Sequence, residues 1–225
     1  IMPKNNTHIF TPLKMKNGEV TNRFAVSLMC MYSSEEGFAN NWQLVHLGGV
    51  ALGGAGLVIS EATAVSPEGR ITPDDLGIWK DEHVEKLSEI VSFLEQQGSV
   101  PGIQLAHAGR KASTSSSWKG GKFLSANDGG WQTVAPSAIP FYDENPAPTA
   151  LNQEGLEKVV SDFQNAAKRA LKAGFKVAEI HAAHGYLCRL YPSDAADDRQ
   201  TGDPGASRTT HKKQEVYKII LRQPT

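Results

Sequence analysis

Short apolar runs alternate along this chain with longer stretches whose apolar residues recur at helical spacing, and that alternation constrains the fold more than any other feature. Phe24-Ala25-Val26-Ser27-Leu28-Met29, Leu57-Val58-Ile59, Val100-Pro101-Gly102-Ile103-Gln104-Leu105 and Val177-Ala178-Glu179-Ile180 read as strands, with Pro101 and Gly102 making the third the least regular. Between them, Asn40 and Asn41 can cap a helix running to Gly53, with Trp42, Val45, Leu47 and Val50 available for packing. Asp81 is expected to cap a second helix carrying Val84, Leu87, Ile90, Val91 and Leu94 and stopping at Gly98. Asn152 begins a third, with Leu156, Val159, Val160, Phe163, Ala167, Ala170 and Leu171 as its stripe and Gly174 as its stop. Strand, helix, strand in repetition implies an α/β fold with a parallel sheet and right-handed crossovers. Ahead of it, Asn17-Gly18 between Leu13-Lys14-Met15-Lys16 and Glu19-Val20-Thr21 suits a two-residue hairpin.

Two segments break the rhythm. Ala106 to Thr149, rich in Gly, Ser, Pro and Trp, is longer than an ordinary connection, and Trp118 and Trp131 are expected to anchor it as an excursion or lid over a site. From about Arg189 the chain loses apolar residues, and only Val216-Tyr217-Lys218-Ile219-Ile220-Leu221 offers one more strand.

The 23 basic and 24 acidic side chains nearly cancel, so no net field draws the chain to nucleic acid or an anionic membrane. Two cysteines, Cys30 and Cys188, form neither a disulfide framework nor a zinc-ribbon spacing, which suits a reducing, cytoplasmic setting. No window reaches eighteen consecutive apolar residues, and Ile1 to Asn6 lacks the pattern of a secretion signal. A small-molecule substrate or cofactor is the expected partner.

Parallel sheets bind ligands beyond the C-terminal ends of their strands. The residues there are Cys30 and Tyr32, Glu61 and Ala62, Gln104 and His107, then His181, His184 and Tyr186. His181 and His184, three apart on a strand-to-loop turn, can face one pocket and meet a developing anion, with Tyr186 as a proton donor. On residues alone two rivals stay open: a zinc site completed by Cys30, and histidines that merely satisfy buried hydrogen bonds. Cys30 also suits a small buried apolar role, whereas Gln104 offers donor and acceptor to the edge of a ring. Arg110 and Lys111 read as a solvated loop face and stay outside the site.

With these residues in hand, the chain resembles the flavin-dependent ene-reductases of the Old Yellow Enzyme family, in the bacterial-type branch of NADPH dehydrogenases and xenobiotic reductases. The resemblance rests on Met29-Cys30-Met31-Tyr32-Ser33, Glu61-Ala62-Thr63-Ala64-Val65, Pro67-Glu68-Gly69-Arg70-Ile71, Gly77-Ile78-Trp79, Gly102-Ile103-Gln104-Leu105-Ala106-His107-Ala108-Gly109-Arg110-Lys111, Ala135-Pro136-Ser137 and Glu179-Ile180-His181-Ala182-Ala183-His184-Gly185-Tyr186-Leu187. It implies a (β/α)8 TIM barrel holding FMN, of which residues 1–187 supply four βα units and the hairpin. It further implies that Cys30, Ala62, Gln104 and His181 contact the flavin. Tyr32, His181 and His184 would bind an enone-type substrate, and Tyr186 would donate a proton. NADPH or NADH would be the reductant.

Leu28 stands where the family commonly has proline, and residues 188–225 read as an unrelated, non-native tail. A half barrel leaves sheet edges unpaired, so self-association through those edges is expected. A non-catalytic fragment and, further off, a metal-dependent barrel enzyme are the alternative functions.

Overall fold

The computed structural model describes residues 8–15, 18–27, 29–187 and 218–219. Leu28, Asn17 and Cys188 lie outside these, as does the rest of the 188–225 segment apart from Lys218 and Ile219.

The hairpin forms from β1 (Leu13–Met15) and β2 (Gly18–Val20), paired antiparallel. The alternating segments then give β3 (Ala25–Ser27), α1 (Asn41–Leu52), β4 (Leu57–Ala64), α2 (Val84–Gln96) and β5 (Val100–Ala106). The excursion after β5 holds only short 3-10 turns and a parallel pair, β6 (Val134–Ala135) and β7 (Thr149–Ala150), before α3 (Gln153–Ala173) and β8 (Val177–Ile180). Strands β3, β4, β5 and β8 lie side by side in chain order, all parallel. A short strand β9 (Lys218–Ile219), inside the run expected to form one, pairs antiparallel with β8. One flank of the sheet is thereby covered, where two open edges were expected.

The sheet has two apolar faces. Val58, Ile103, Leu105 and Ala178 pack under the three helices, with Leu87, Ile90, Val91 and Leu94 of α2 at the centre. Each of the Val, Leu and Ile side chains among these contributes about 2 kcal/mol by leaving water. On the opposite, inner face, Leu57, Ile59 and Val177 pack with Val20 and Met15 of the hairpin, which closes the N-terminal end of the strands. The other end is left to the loops.

Several expectations shift in detail. β4 runs five residues past Ile59 and is buried throughout, so Glu61 and Ala62 sit within the strand. Pro101 lies inside β5, tolerated near its start, and its carbonyl accepts the Lys176 N–H. Asn40 caps α1 with a reciprocal Asn40–Gln43 capping box, and Asn152 caps α3. Asp81 caps nothing: it opens a 3-10 turn ahead of α2, and its carboxylate pairs with Arg169 on α3 at 2.7 Å.

Trp42 and Val45 are exposed, because α1 buries the face carrying Gln43, Leu47, Gly48 and Ala51. Gly48 sets that contact: a Cβ there would lie 2.7 Å from the Phe93 ring. Leu156 and Val160 are likewise exposed, since α3 packs through Ala166, Ala170 and Ala173 at its C-terminal half. Within the excursion, Trp131 is the anchor, its Nε1 donating to Glu68 O at 3.0 Å under the Arg70 guanidinium. Trp118 is 64% exposed and does not pack in a core.

Candidate active site

Register places Ala62, Gln104 and Glu179 in one row across β4, β5 and β8. In parallel strands in register, such residues project to the same face. The row shares the parity of Val100 and Val177, which places it on the inner face near the open end of the strands. There Gln104 Nε2 donates to Glu179 Oε1 at 2.7 Å, so the carboxamide oxygen keeps its acceptor capacity for another group. One residue further, Leu105 O accepts the His181 N–H at 2.9 Å and carries the ladder to the histidine turn.

Glu61 fixes the neighbouring strand end. It is 5% exposed, and Oε2 accepts the Met31 N–H at 2.7 Å. Burial pushes its carboxyl above the usual range, against the pull of hydrogen bonds from Met31, Gln43 and Tyr32. Cys30 and Tyr32 therefore sit on either side of a tethered backbone amide. Tyr32 adopts a left-handed φ of 44°, an uncommon conformation for a residue with a side chain. Its hydroxyl lies within hydrogen-bonding reach of the Cys30 thiol, which is also within reach of the Ala62 N–H.

Burial pushes the Cys30 thiol up to about 12, with Asp75 and Glu61 adding to the shift, so the group is a thiol at neutral pH. Tyr32 is raised in the same way, by burial and then by Cys30, Asp75 and Tyr186. Asp75 itself is buried in the loop after β4, where Oδ2 accepts the Ile71 N–H at 2.6 Å and Oδ1 accepts the Thr72 N–H and Oγ1. Burial outweighs those bonds and raises its carboxyl to about 7.

After β8 the chain turns through His184 and Gly185, both left-handed, at φ 55° and 72°. This brings the His181 ring to 5.5 Å from His184 and 4.7 Å from Tyr186, centroid to centroid. Burial, then His184 and Lys111, lowers His181 to about 4, so its imidazole is neutral at pH 7. Burial raises the Tyr186 phenol to about 12, with Cys30 and Asp75 as further causes, which joins the β3 and β8 ends electrostatically. Trp118 covers this end from the excursion, its ring 5.7 Å from that of Tyr32.

The strand ends thus bring together Cys30, Tyr32, His181, His184 and Tyr186 as one cluster, with the Ala62–Gln104–Glu179 row beside it. His107 stands apart: it is fully buried, packs against Gly69, and its Nδ1 accepts the Gly109 N–H at 3.0 Å. Lys111 is half-buried over the Phe141 and Tyr186 rings and belongs to the site, contrary to its reading as a solvated loop residue. Arg110 is also half-buried, donating to Ser137 Oγ at 3.2 Å. Sequence reasoning missed Glu179, Asp75 and Lys111 as site residues. Only Glu179 had a signal, as a polar residue sharing the parity of Val177. Among the described residues, no group of three His, Cys, Asp or Glu side chains is placed to hold a metal ion, so the zinc arrangement of His181, His184 and Cys30 does not form.

Residues 8–205 match the family described as NADH:flavin oxidoreductase / NADH oxidase, a match that continues past Leu187. The chain is 45% identical over 206 residues to an NADH:flavin oxidoreductase of Gibberella zeae, covering 90% of this chain and 50% of that protein. It is 43% identical over 201 residues to the NADPH dehydrogenase of Bacillus subtilis, covering 88% of this chain and 55% of the relative. Among solved structures, morphinone reductase superposes with a TM-score of 0.69 at 28% identity, over 88% of this chain and 54% of that one. The Old Yellow Enzyme from Pichia sp. AKU4542 gives 0.70 at 28% identity, over 88% and 52%. The chain spans about half the length of the curated relatives it matches. Four parallel strands under three helices, closed below by a hairpin, are accordingly part of a (β/α) barrel of the Old Yellow Enzyme type, and the chain belongs to the NADH:flavin oxidoreductase / NADH oxidase family.

Proposed function

We propose that this chain carries the flavin- and substrate-binding strand ends of an FMN-dependent NAD(P)H oxidoreductase that reduces the activated C=C bond of α,β-unsaturated carbonyl compounds. The observation that carries the reading is the convergence of a neutral thiol, a half-committed carboxamide, two imidazoles and two phenols at one end of a parallel sheet. These groups fit a flavin. With Nε2 held by Glu179, the Gln104 oxygen is the acceptor that a ring N–H of the pyrimidine edge needs, and in-register Ala62 offers backbone to the same ring.

Cys30 would lie against the ring as an uncharged thiol, adding no negative charge that would oppose flavin reduction. FMN, when bound, supplies the hydride acceptor for NAD(P)H and the hydride donor for the substrate β-carbon. The chain's own residues handle the carbonyl and the proton. His181, neutral at pH 7, and His184 would each donate one N–H to the carbonyl oxygen, with Tyr32 lining the same pocket, and so meet the charge that gathers on oxygen as hydride arrives. Tyr186, protonated far above neutrality, would deliver its proton to the α-carbon and regain one from solvent.

The test is reconstitution. The chain incubated with FMN and desalted should keep a flavin absorption spectrum, and a colourless protein with free FMN in the wash would refute the reading.

A further inference from the structure

We propose that Lys111 is the positioning residue of the His181–Tyr186 turn, its ammonium holding the His184 carbonyl and the Tyr186 ring in the one arrangement that sets the phenol against the His181 imidazole. The proposal rests on the reading above for its catalytic meaning, while the turn itself is a property of the chain.

The turn is improbable without support. His184 and Gly185 are consecutive left-handed residues, and for His184 that conformation costs about 1 kcal/mol or more. Such a conformation persists where surrounding contacts over-determine it. Two contacts come from the backbone: the Leu187 N–H donates to His107 O at 3.1 Å, and the Tyr186 N–H to Ala183 O at 3.2 Å. Gly109, itself at φ 60°, permits that closeness, since a Cβ there would lie 3.1 Å from the Leu187 backbone.

The remaining contacts come from Lys111, at the end of the 3-10 turn Gly109–Lys111. Its Nζ donates to His184 O at 3.0 Å, on the strained residue itself. The same ammonium lies 4.4 Å from the Phe141 ring centroid and 5.1 Å from that of Tyr186. A cation shared between two ring faces and a carbonyl is held from three directions. Phe141 belongs to the excursion, so Lys111 also fastens that segment to the β8 turn.

This arrangement also sets the charge that His181 feels. Among the described residues, the groups bearing on its imidazole are His184 and Tyr186 from its own turn and Lys111 from the loop after β5. Lys111 and His184 both disfavour the imidazolium and keep His181 a neutral donor.

The test is NMR of the full chain with ring-labelled histidine and tyrosine, comparing Lys111→Met and Lys111→Arg with the unsubstituted protein. In Lys111→Met, the Tyr186 ring signals should move toward unstacked positions and the His181 titration midpoint should rise. The buried His83 signal should stay in place, and Lys111→Arg should keep both His181 and Tyr186 close to their original positions. Unchanged His181 and Tyr186 signals in Lys111→Met would overturn the proposal. Should His83 also shift in the Met variant, the Arg variant decides: original positions uphold the role and displaced ones overturn it. None of these signals requires FMN, so a chain that takes up no flavin yet shows the expected changes keeps the positioning role and loses the proposed function. The opposite pair of results separates them the other way.

Discussion

Gln104 on β5 donates its carboxamide N–H to Glu179 on the adjacent strand β8 at 2.7 Å, a bond between in-register neighbours on the inner face of the sheet. Glu179 thereby determines which end of the carboxamide is left for a ligand. Glu179→Ala should free the side chain to rotate and weaken FMN binding about tenfold, in line with the loss of one hydrogen bond to a charged group. Quenching of flavin fluorescence on titration reads the dissociation constant directly. An unaltered constant would show that Glu179 does not set the orientation of Gln104.

Tyr186→Phe separates proton delivery from hydride transfer. The enone half-reaction should slow by about 10²-fold or more, while reduction of bound FMN by NADPH keeps its rate. Because the phenol titrates at about 12, the unsubstituted enone step should show no loss of this donor between pH 6 and roughly pH 10. Stopped-flow traces of the two half-reactions give both answers, and equal slowing of both steps would remove Tyr186 from the donor role.

Asp75 should leave a mark on stability. An unfolded aspartate releases its proton near pH 4, about 3.9, whereas folded Asp75 holds its proton up to about 7. Within that window the folded chain binds more protons, so this contribution is complete below about pH 4 and is lost as pH rises toward about 7. The fully buried His83 and His107 act in the opposite sense, since burial lowers each to about 4 from 6.5: their contribution is present above 6.5 and lost as pH falls toward 4. Urea unfolding of the unsubstituted chain and of Asp75→Asn isolates the carboxyl. Their stability difference should move against the unsubstituted chain by about 2 kcal/mol between pH 4.5 and 6.5. A difference that does not vary with pH would contradict the raised titration.

The excursion after β5 is held by close backbone approach as well as by Trp131. A Cβ on Gly130 would lie 2.0 Å from Leu124 O, and a carbonyl cannot swing aside as a flexible side chain can. Gly130→Ala should therefore cost about 2 kcal/mol or more and loosen the segment that places Trp118 over Tyr32. The thermal midpoint, together with hydrogen exchange over residues 113–131, tests this. Unchanged protection in that segment would show that the contact is easily relieved.

The periodic part of this architecture was legible because burial repeats. Val84, Leu87, Ile90, Val91 and Leu94 follow the helical period, and each is buried where the spacing put it. Asn40, Asn152 and Gly174 read correctly because capping chemistry is local. Trp42 and Val45 misled because the contact surface of α1 is set by Gly48 against Phe93, a fit between two helices that neither shows alone. The strand-end residues were found because a parallel sheet collects them at one end. Asp75 and Lys111 were not, since each reaches the cluster from a loop whose path depends on three-dimensional contacts such as Arg70 between Trp79 and Trp131. Lys111 next to Arg110 looks like any solvated basic pair until Phe141 and the β8 turn are brought beneath it.

On the proposed function, the open end of these four strands holds a flavin which a nicotinamide can reduce. Anaerobic mixing of the FMN-reconstituted full chain with NADPH tests it most directly. The flavin absorption should bleach, and adding 2-cyclohexenone should restore it with formation of the saturated ketone. Bound flavin that keeps its colour in the presence of excess NADPH would contradict the claim.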